Sequence, residues 1–467
     1  MVFSSTVFLF LFFPLVLLIY YLPFIRCHRT FQNYYLCIAS LFFYAWGEPL
    51  FVILLLLSIL VTWSIGKALW AMEGRRKKTI LIMGVVYHIG LLFIFKYLSF
   101  LSQELARLTG SLQQTIDIAL PIGISFFTFQ MLSYLFDVYY GNTKVQRNIL
   151  NLGLYVAFFP QLIAGPIVRY ETIEHQIMER VETLEDFEDG IRRFVFGLGK
   201  KVILADTLGV IADNIFGIAH VSSVSVLTGW MGAVAFMLQI YFDFSGYSDM
   251  AIGLGRCFGF HFNENFHYPY LADSIRDFWK RWHISLTDWF RDYVYIPLGG
   301  NRSGTKRQIL NTFIVWALTG IWHGANWTFL AWGMIYCCLQ LMERYLYHPS
   351  RWPKVLRHIY TLLVVCLCWV VFKSQSLGDS MRFIADLFGR TGLLDENTVF
   401  YAKNSLVIIV LSIFCCLIPV LKAKRKNSLF SPFVHEVLTY LLLIFILCMA
   451  IAFSVSGGYS PFIYFNF

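Results

Sequence analysis

His323 stands alone in an apolar run. From Ile309 to Met342 the chain carries no other Asp, Glu, Lys, Arg or His. Its frame is Gly320-Ile321-Trp322-His323-Gly324-Ala325-Asn326-Trp327. An imidazole titrates near neutral pH, and in hydrocarbon it is costly unless it lines a cavity or has a partner. The position is therefore a candidate for proton chemistry inside a membrane. The plainer alternative is a histidine hydrogen-bonded between packed helices. The flanking glycines admit close approach of backbone or substrate.

A second group lies between Tyr241 and Asn301, a region too polar to face lipid and too aromatic for an ordinary loop. It opens with Phe242-Asp243-Phe244-Ser245-Gly246-Tyr247-Ser248-Asp249. Asp243 sits within an apolar helix, so it must face a cavity or accept hydrogen bonds. A direct role and a packed polar network are equally open. Next comes Asp277-Phe278-Trp279-Lys280-Arg281-Trp282-His283-Ile284-Ser285-Leu286-Thr287. On one continuous helix Arg276, Lys280, His283 and Thr287 would share a face. Such a basic face among aromatics suits an anionic phosphorylated group. An interfacial helix with snorkelling cations explains the same spacing. The chain closes on Ser460-Pro461-Phe462-Ile463-Tyr464-Phe465-Asn466-Phe467. Free termini usually fray, yet a solvated tail has no reason to carry four aromatics. The tail is expected to dock, with an apolar funnel towards His323 as the natural place.

These residues need a scaffold, and composition says which kind. Of 467 residues 58% are hydrophobic and only 14% charged, against about 25% charged in soluble domains. Apolar stretches recur at Val2–Leu22, Tyr34–Trp46, Leu50–Trp70, Ile80–Leu98, Ile116–Tyr140 and Ile149–Val168. They continue at Val226–Ile252, Ile309–Met342, Ile359–Phe372, Leu406–Leu421 and Val434–Val455. Phe194–Ile218 is amphipathic and ambiguous. The expectation is an all-α polytopic membrane protein of about ten to twelve segments, some short or re-entrant, in a single domain. Ile309–Met342 is too long for one untilted helix, so a break near Gly320 or Gly324 is expected. The motif-bearing core covers 200–342 and the aromatic tail 456–467.

The net charge of +9 gathers in short basic loops, a membrane pattern and no sign of nucleic acid. Arg26 to Arg29, Arg75 to Lys78 and Lys422 to Lys426 are expected to be cytoplasmic, which puts both termini on the outer side. Val2–Leu22 has no basic residue before it and no small-residue cleavage site, so it is expected to be a first span rather than a signal peptide. Ten cysteines, mostly in apolar spans and never in a CxxC pair, are small packing residues rather than disulfides or metal ligands. The eight carboxylates from Glu171 to Asp189 lack metal spacing and are expected on a solvated surface.

The run Phe278-Trp279-Lys280-Arg281-Trp282-His283-Ile284-Ser285-Leu286 with Arg291-Asp292-Tyr293-Val294-Tyr295-Ile296-Pro297-Leu298-Gly299-Gly300-Asn301-Arg302 resembles the membrane-bound O-acyltransferase family. It looks most like the bacterial alginate O-acetyltransferase membrane-subunit branch, and Trp322-His323-Gly324-Ala325-Asn326-Trp327 matches the family's second histidine motif. The Phe242–Asp249 run also fits. This resemblance implies a ring of helices around a tunnel in the bacterial inner membrane. An acyl group passes from a cytoplasmic thioester, acetyl-coenzyme A in this branch, to hydroxyls of an extracytoplasmic glycan. No bound cofactor or metal is implied. By resemblance His323 is the catalytic base and His283 the second motif histidine. Arg276, Lys280 and Arg281 are candidates for the donor's phosphates, Asn326 or Trp327 for orienting ring or carbonyl, and Asp243 for the site's polar lining. The tail resembles the end of the small partner subunit in D-alanyl transfer. That implies Tyr464 as an acyl carrier and an extracytoplasmic SGNH-type acetyltransferase or esterase as partner. A proton-coupled transporter using Asp243 and His323, or a scaffold of a polysaccharide export complex, are the rival classes.

Overall fold

The computed structural model describes the chain except residues 111–115, 117, 425–430, 457–461 and 463–467. Tyr464, Arg425 and Lys426 thus lie outside the described residues. Everything regular is helical among the described residues. Seven helices are long and apolar enough to cross a membrane: Phe51–Ala71, Gly74–Thr109, Leu184–Val221, Val226–Cys257, Lys354–Lys373, Glu396–Ile418 and Phe433–Val455. Phe8–Tyr20 is apolar but shorter. The ambiguous segment 194–218 belongs to the long helix Leu184–Val221. All ten cysteines are free thiols.

The chain forms two compact units. The first comprises Met1–Phe194 and Ser248–Glu264. Its centre is the helix Ile124–Tyr140, which begins well inside the apolar stretch that opens at Ile116 and is buried along most of its length. Helices Phe51–Ala71 and Gly74–Leu92 pack on it. Gly66 and Gly84 leave room there for Tyr134 and Leu135. The acidic stretch lies at the surface as expected, with none of its eight carboxylates buried, but several of them are paired. Arg180 is buried and donates to Asn33 Oδ1 at 2.7 Å, while Glu182 accepts from Arg29 and the Tyr20 hydroxyl. Its carboxyl is held below the ordinary range by those donors against the opposing effect of burial. Asp186 and Asp189 are paired too, with His261 at 2.9 Å and Arg256 at 3.1 Å. Charge runs suggest solvation, but here the partners come from segments far away in sequence.

The second unit comprises Val195–Tyr247 and Asn265–Phe467. Its core is aromatic. Tyr241, Tyr270, Phe278, Trp282 and Trp369 make one group, and Trp279, Trp316, Trp332 and Tyr336 another. In the second group edge-to-face pairs dominate, as ring quadrupoles favour; Trp279 meets Tyr336 at 5.0 Å and 88°. The apolar run around His323 folds as two helices, Gly304–His323 and Trp327–Tyr345, packed on each other. The expected break is at Gly324. Gly320 and Gly333 let the pair close: a Cβ would lie 2.6 Å from the Phe329 carbonyl at the former and 2.5 Å from the Trp316 carbonyl at the latter.

Candidate active site

His323 is the last residue of its helix and is buried. Three rings box it edge-to-face: Trp332 at 4.9 Å, Trp322 at 5.0 Å and Phe372 at 5.2 Å. The close approach that Gly324 permits is that of Phe329, whose ring a Cβ there would strike. Asn326 is committed locally. Its side-chain oxygen accepts from Thr328 N at 3.0 Å, capping the next helix, and its amide donates to the Gln375 carbonyl at 3.1 Å. Trp327 is 53% exposed.

The single basic face does not form. Helix Ile275–Arg281 stops, Trp282 is extended, and His283 takes φ 43° before Ile284–Phe290 begins. A left-handed non-glycine residue costs on the order of 1–3 kcal/mol, and such strain concentrates at functional sites. The break separates the face's members. Arg276 and Lys280 are exposed, while His283 is fully buried. Arg281 is half-buried and donates to Asp277 Oδ2 at 2.9 Å. Two acceptors hold this helix's N-terminus: Ser274, and a buried Glu343 that accepts from Ile275 N at 2.8 Å and Arg276 N at 3.1 Å.

The His283 ring stands perpendicular to Phe244 at 4.5 Å and lies near Phe266. Its Nδ1 is 3.2 Å from Asn265 Oδ1. Trp322 lies 5.9 Å away, so the two motif histidines border the same indole. Phe462, the one described residue near the end of the tail, is buried 5.8 Å from Phe244 and 5.0 Å from Tyr247. The tail is therefore docked at that residue, beside the ring that abuts His283.

Asp243 pairs with Lys201 at 2.8 Å, and the same ammonium reaches Asp206 at 2.6 Å. Lys201 lies in a π-helical turn, Lys200–Ala205, a distortion often found at functional sites. Gly246 brings the two helices together; a Cβ there would lie 2.8 Å from the Gly197 carbonyl. The packed-network reading of Asp243 is the one this geometry supports. Sequence reasoning missed Lys201 and Asp206, although a lysine inside an apolar span was itself a signal. Removing one partner of a buried ion pair typically costs about 3–5 kcal/mol. Lys201→Met should thus lower the unfolding midpoint in detergent markedly, and adding Asp243→Asn should restore part of it. Lys201→Met melting like the wild type would refute the clamp.

With this geometry in view, comparison with known proteins is decisive. Residues 38–377 match the model of the membrane-bound O-acyltransferase family. The chain belongs to that family. It is a multi-pass membrane O-acyltransferase, and the transporter and scaffold readings fall away. It is 38% identical to the probable alginate O-acetylase of Pseudomonas putida over the full length of both chains. It is 31% identical to the peptidoglycan O-acetyltransferase of Helicobacter pylori, over 100% of this chain and 98% of that one. Similarity to the teichoic acid D-alanyltransferase of Bacillus subtilis is 27% over 54% of this chain and 69% of the relative. The matched interval holds both histidines and the basic residues before them but stops short of the tail.

Proposed function

We propose that this O-acyltransferase moves an acetyl group from cytoplasmic acetyl-coenzyme A towards hydroxyls of a cell-envelope polysaccharide, with His323 as general base. One observation carries the assignment of the site: His323 and His283, from separate motifs well apart along the chain, border one indole in one buried aromatic core. The names of the full-length relatives support acetyl as the group and an envelope polymer as the acceptor. In the transfer, His323 removes the proton of an attacking hydroxyl, the oxygen bonds to the thioester carbonyl, and the carbon–sulfur bond breaks. Free thiol leaves. The imidazolium so formed would lie at the carbonyl end of a 20-residue helix, whose dipole favours a cation.

The attacking hydroxyl in the first step is assigned to Tyr464, by the tail's resemblance and by the seating of Phe462 next to His283's aromatic wall. An SGNH-type partner on the outer side would pass the acetyl to the glycan. This arrangement has the protein in the bacterial inner membrane with both termini outside the cytoplasm, as basic loops such as Arg75 to Lys78 imply. Free thiol released from acetyl-coenzyme A by the purified protein tests the reaction. Release no faster than in protein-free detergent would overturn it.

Lys280 and Arg276 are exposed cations suited to the donor's phosphates, with Arg281 beside them. Contacts made equally in ground and transition states act through KM. The double variant Lys280→Ala, Arg281→Ala should raise the donor KM about tenfold, equivalent to about 1.4 kcal/mol, with kcat unchanged. An unchanged donor KM would leave these residues as interfacial anchors only.

A further inference from the structure

His283 has one feature that packing leaves unanswered. Its Nε2 is buried and makes no hydrogen bond among the described residues. A buried nitrogen without a partner typically costs about 1–3 kcal/mol, and the ring is held in a strained backbone conformation besides. Asn265 decides what that nitrogen is. The Asn265 side-chain atom facing this loop meets the backbone N–H of Ser285 at 3.2 Å and the Ser285 hydroxyl at 2.8 Å. A backbone N–H can only donate, so the atom it meets is the amide oxygen. That oxygen is also what faces His283 Nδ1 at 3.2 Å. An amide oxygen only accepts, so Nδ1 carries the hydrogen. In a neutral imidazole the lone pair then sits on Nε2. The backbone reinforces the arrangement: Ile284 N donates to the Asn265 carbonyl at 2.9 Å, fixing the two segments together on either side of the ring.

We propose that Asn265 is a positioning residue of the acyltransferase site: it locks His283 as the Nδ1–H tautomer, so that Nε2 presents a lone pair, and no proton, towards the reacting groups. This rests on the reading that His283 borders the reacting groups. Among the described residues, the groups facing His283 are the Phe244, Phe266 and Trp322 rings and the uncharged Asn265 and Ser285. His283 lies outside the seven spanning helices, and burial alone pushes its imidazole down to about 3. The ring is neutral through the physiological range, as an acceptor must be.

Asn265→Asp is the informative variant. It keeps the acceptor and the shape but adds a negative charge beside Nδ1–H. An opposite charge at this range favours the imidazolium by about one to three pH units. The acidic limb of the kcat–pH profile for thiol release should therefore move to higher pH by about that amount in the purified full-length protein. Asn265→Ala removes the acceptor and should lower kcat at least tenfold with donor KM little changed. His283→Ala separates the proposal from the reading beneath it. If His283→Ala keeps wild-type activity, the reading that His283 borders the reaction fails. If His283→Ala is inactive but Asn265→Asp shows an unmoved profile, the tautomer lock is overturned. Should Asn265→Ala not fold, the Asn265→Asp profile decides alone.

Discussion

His323→Ala is expected to lower acyl transfer by about 10²–10⁴-fold, the contribution of a positioned general base. The ring fills a slot between Trp332 and Phe372, so its removal also opens a cavity. His323→Gln keeps most of the volume and serves as the control for packing. Both variants should purify as monodisperse protein, bind donor, and release almost no thiol. A cavity affects the unfolding midpoint and a lost base affects kcat, so the two measurements apportion the effect. A His323→Gln enzyme that keeps more than about a tenth of wild-type kcat would remove this residue from the base's role.

Tyr464→Phe should abolish glycan O-acetylation while leaving the tail in place. The substitution removes only the phenolic oxygen. Phe462, which seats the tail against Phe244 and Tyr247, is untouched. In the proposed sequence the Tyr464 oxygen takes the acetyl from sulfur with its proton passing to His323. An aryl acetate results. A phenol with an ordinary pKa of about 10 needs a nearby base to attack, yet leaves readily when a glycan hydroxyl takes the acetyl in turn. Mass spectrometry of wild-type protein exposed to acetyl-coenzyme A without acceptor should show one acetyl on the C-terminal peptide. A Tyr464→Phe protein that acetylates glycan at the wild-type rate, or a tail never found acetylated, would leave the tail as an aromatic anchor.

Much of this protein was legible in its residues because the signals are short-range. Apolar stretches of span length require helices when no water is present to satisfy the backbone. The expectation of a break in Ile309–Met342 was met at Gly324, since a run that long must turn and glycine permits close packing. His323 declared itself by being the single Asp, Glu, Lys, Arg or His residue in that run. Of the aromatic tail only Phe462 lies among the described residues near the end, and it is buried against Phe244 and Tyr247, beside the ring that abuts His283.

What periodicity misjudged was Arg276 to Thr287. The one-face reading assumed a continuous helix, but His283 holds a left-handed backbone. No pattern of apolar spacing encodes that conformation. It exists because Asn265, 18 residues earlier, grips the loop from outside. Lys201 and Asp243 likewise meet across two helices, and Glu343 caps a helix 68 residues upstream of it in sequence. Sequence alone determined that the chain is a membrane helix protein and marked one histidine as a candidate for proton chemistry. Only tertiary packing decided which polar groups satisfy one another and which nitrogen of His283 lacks a partner among the described residues. Burial demands a partner for every polar atom, but which partner arrives depends on how distant helices come together.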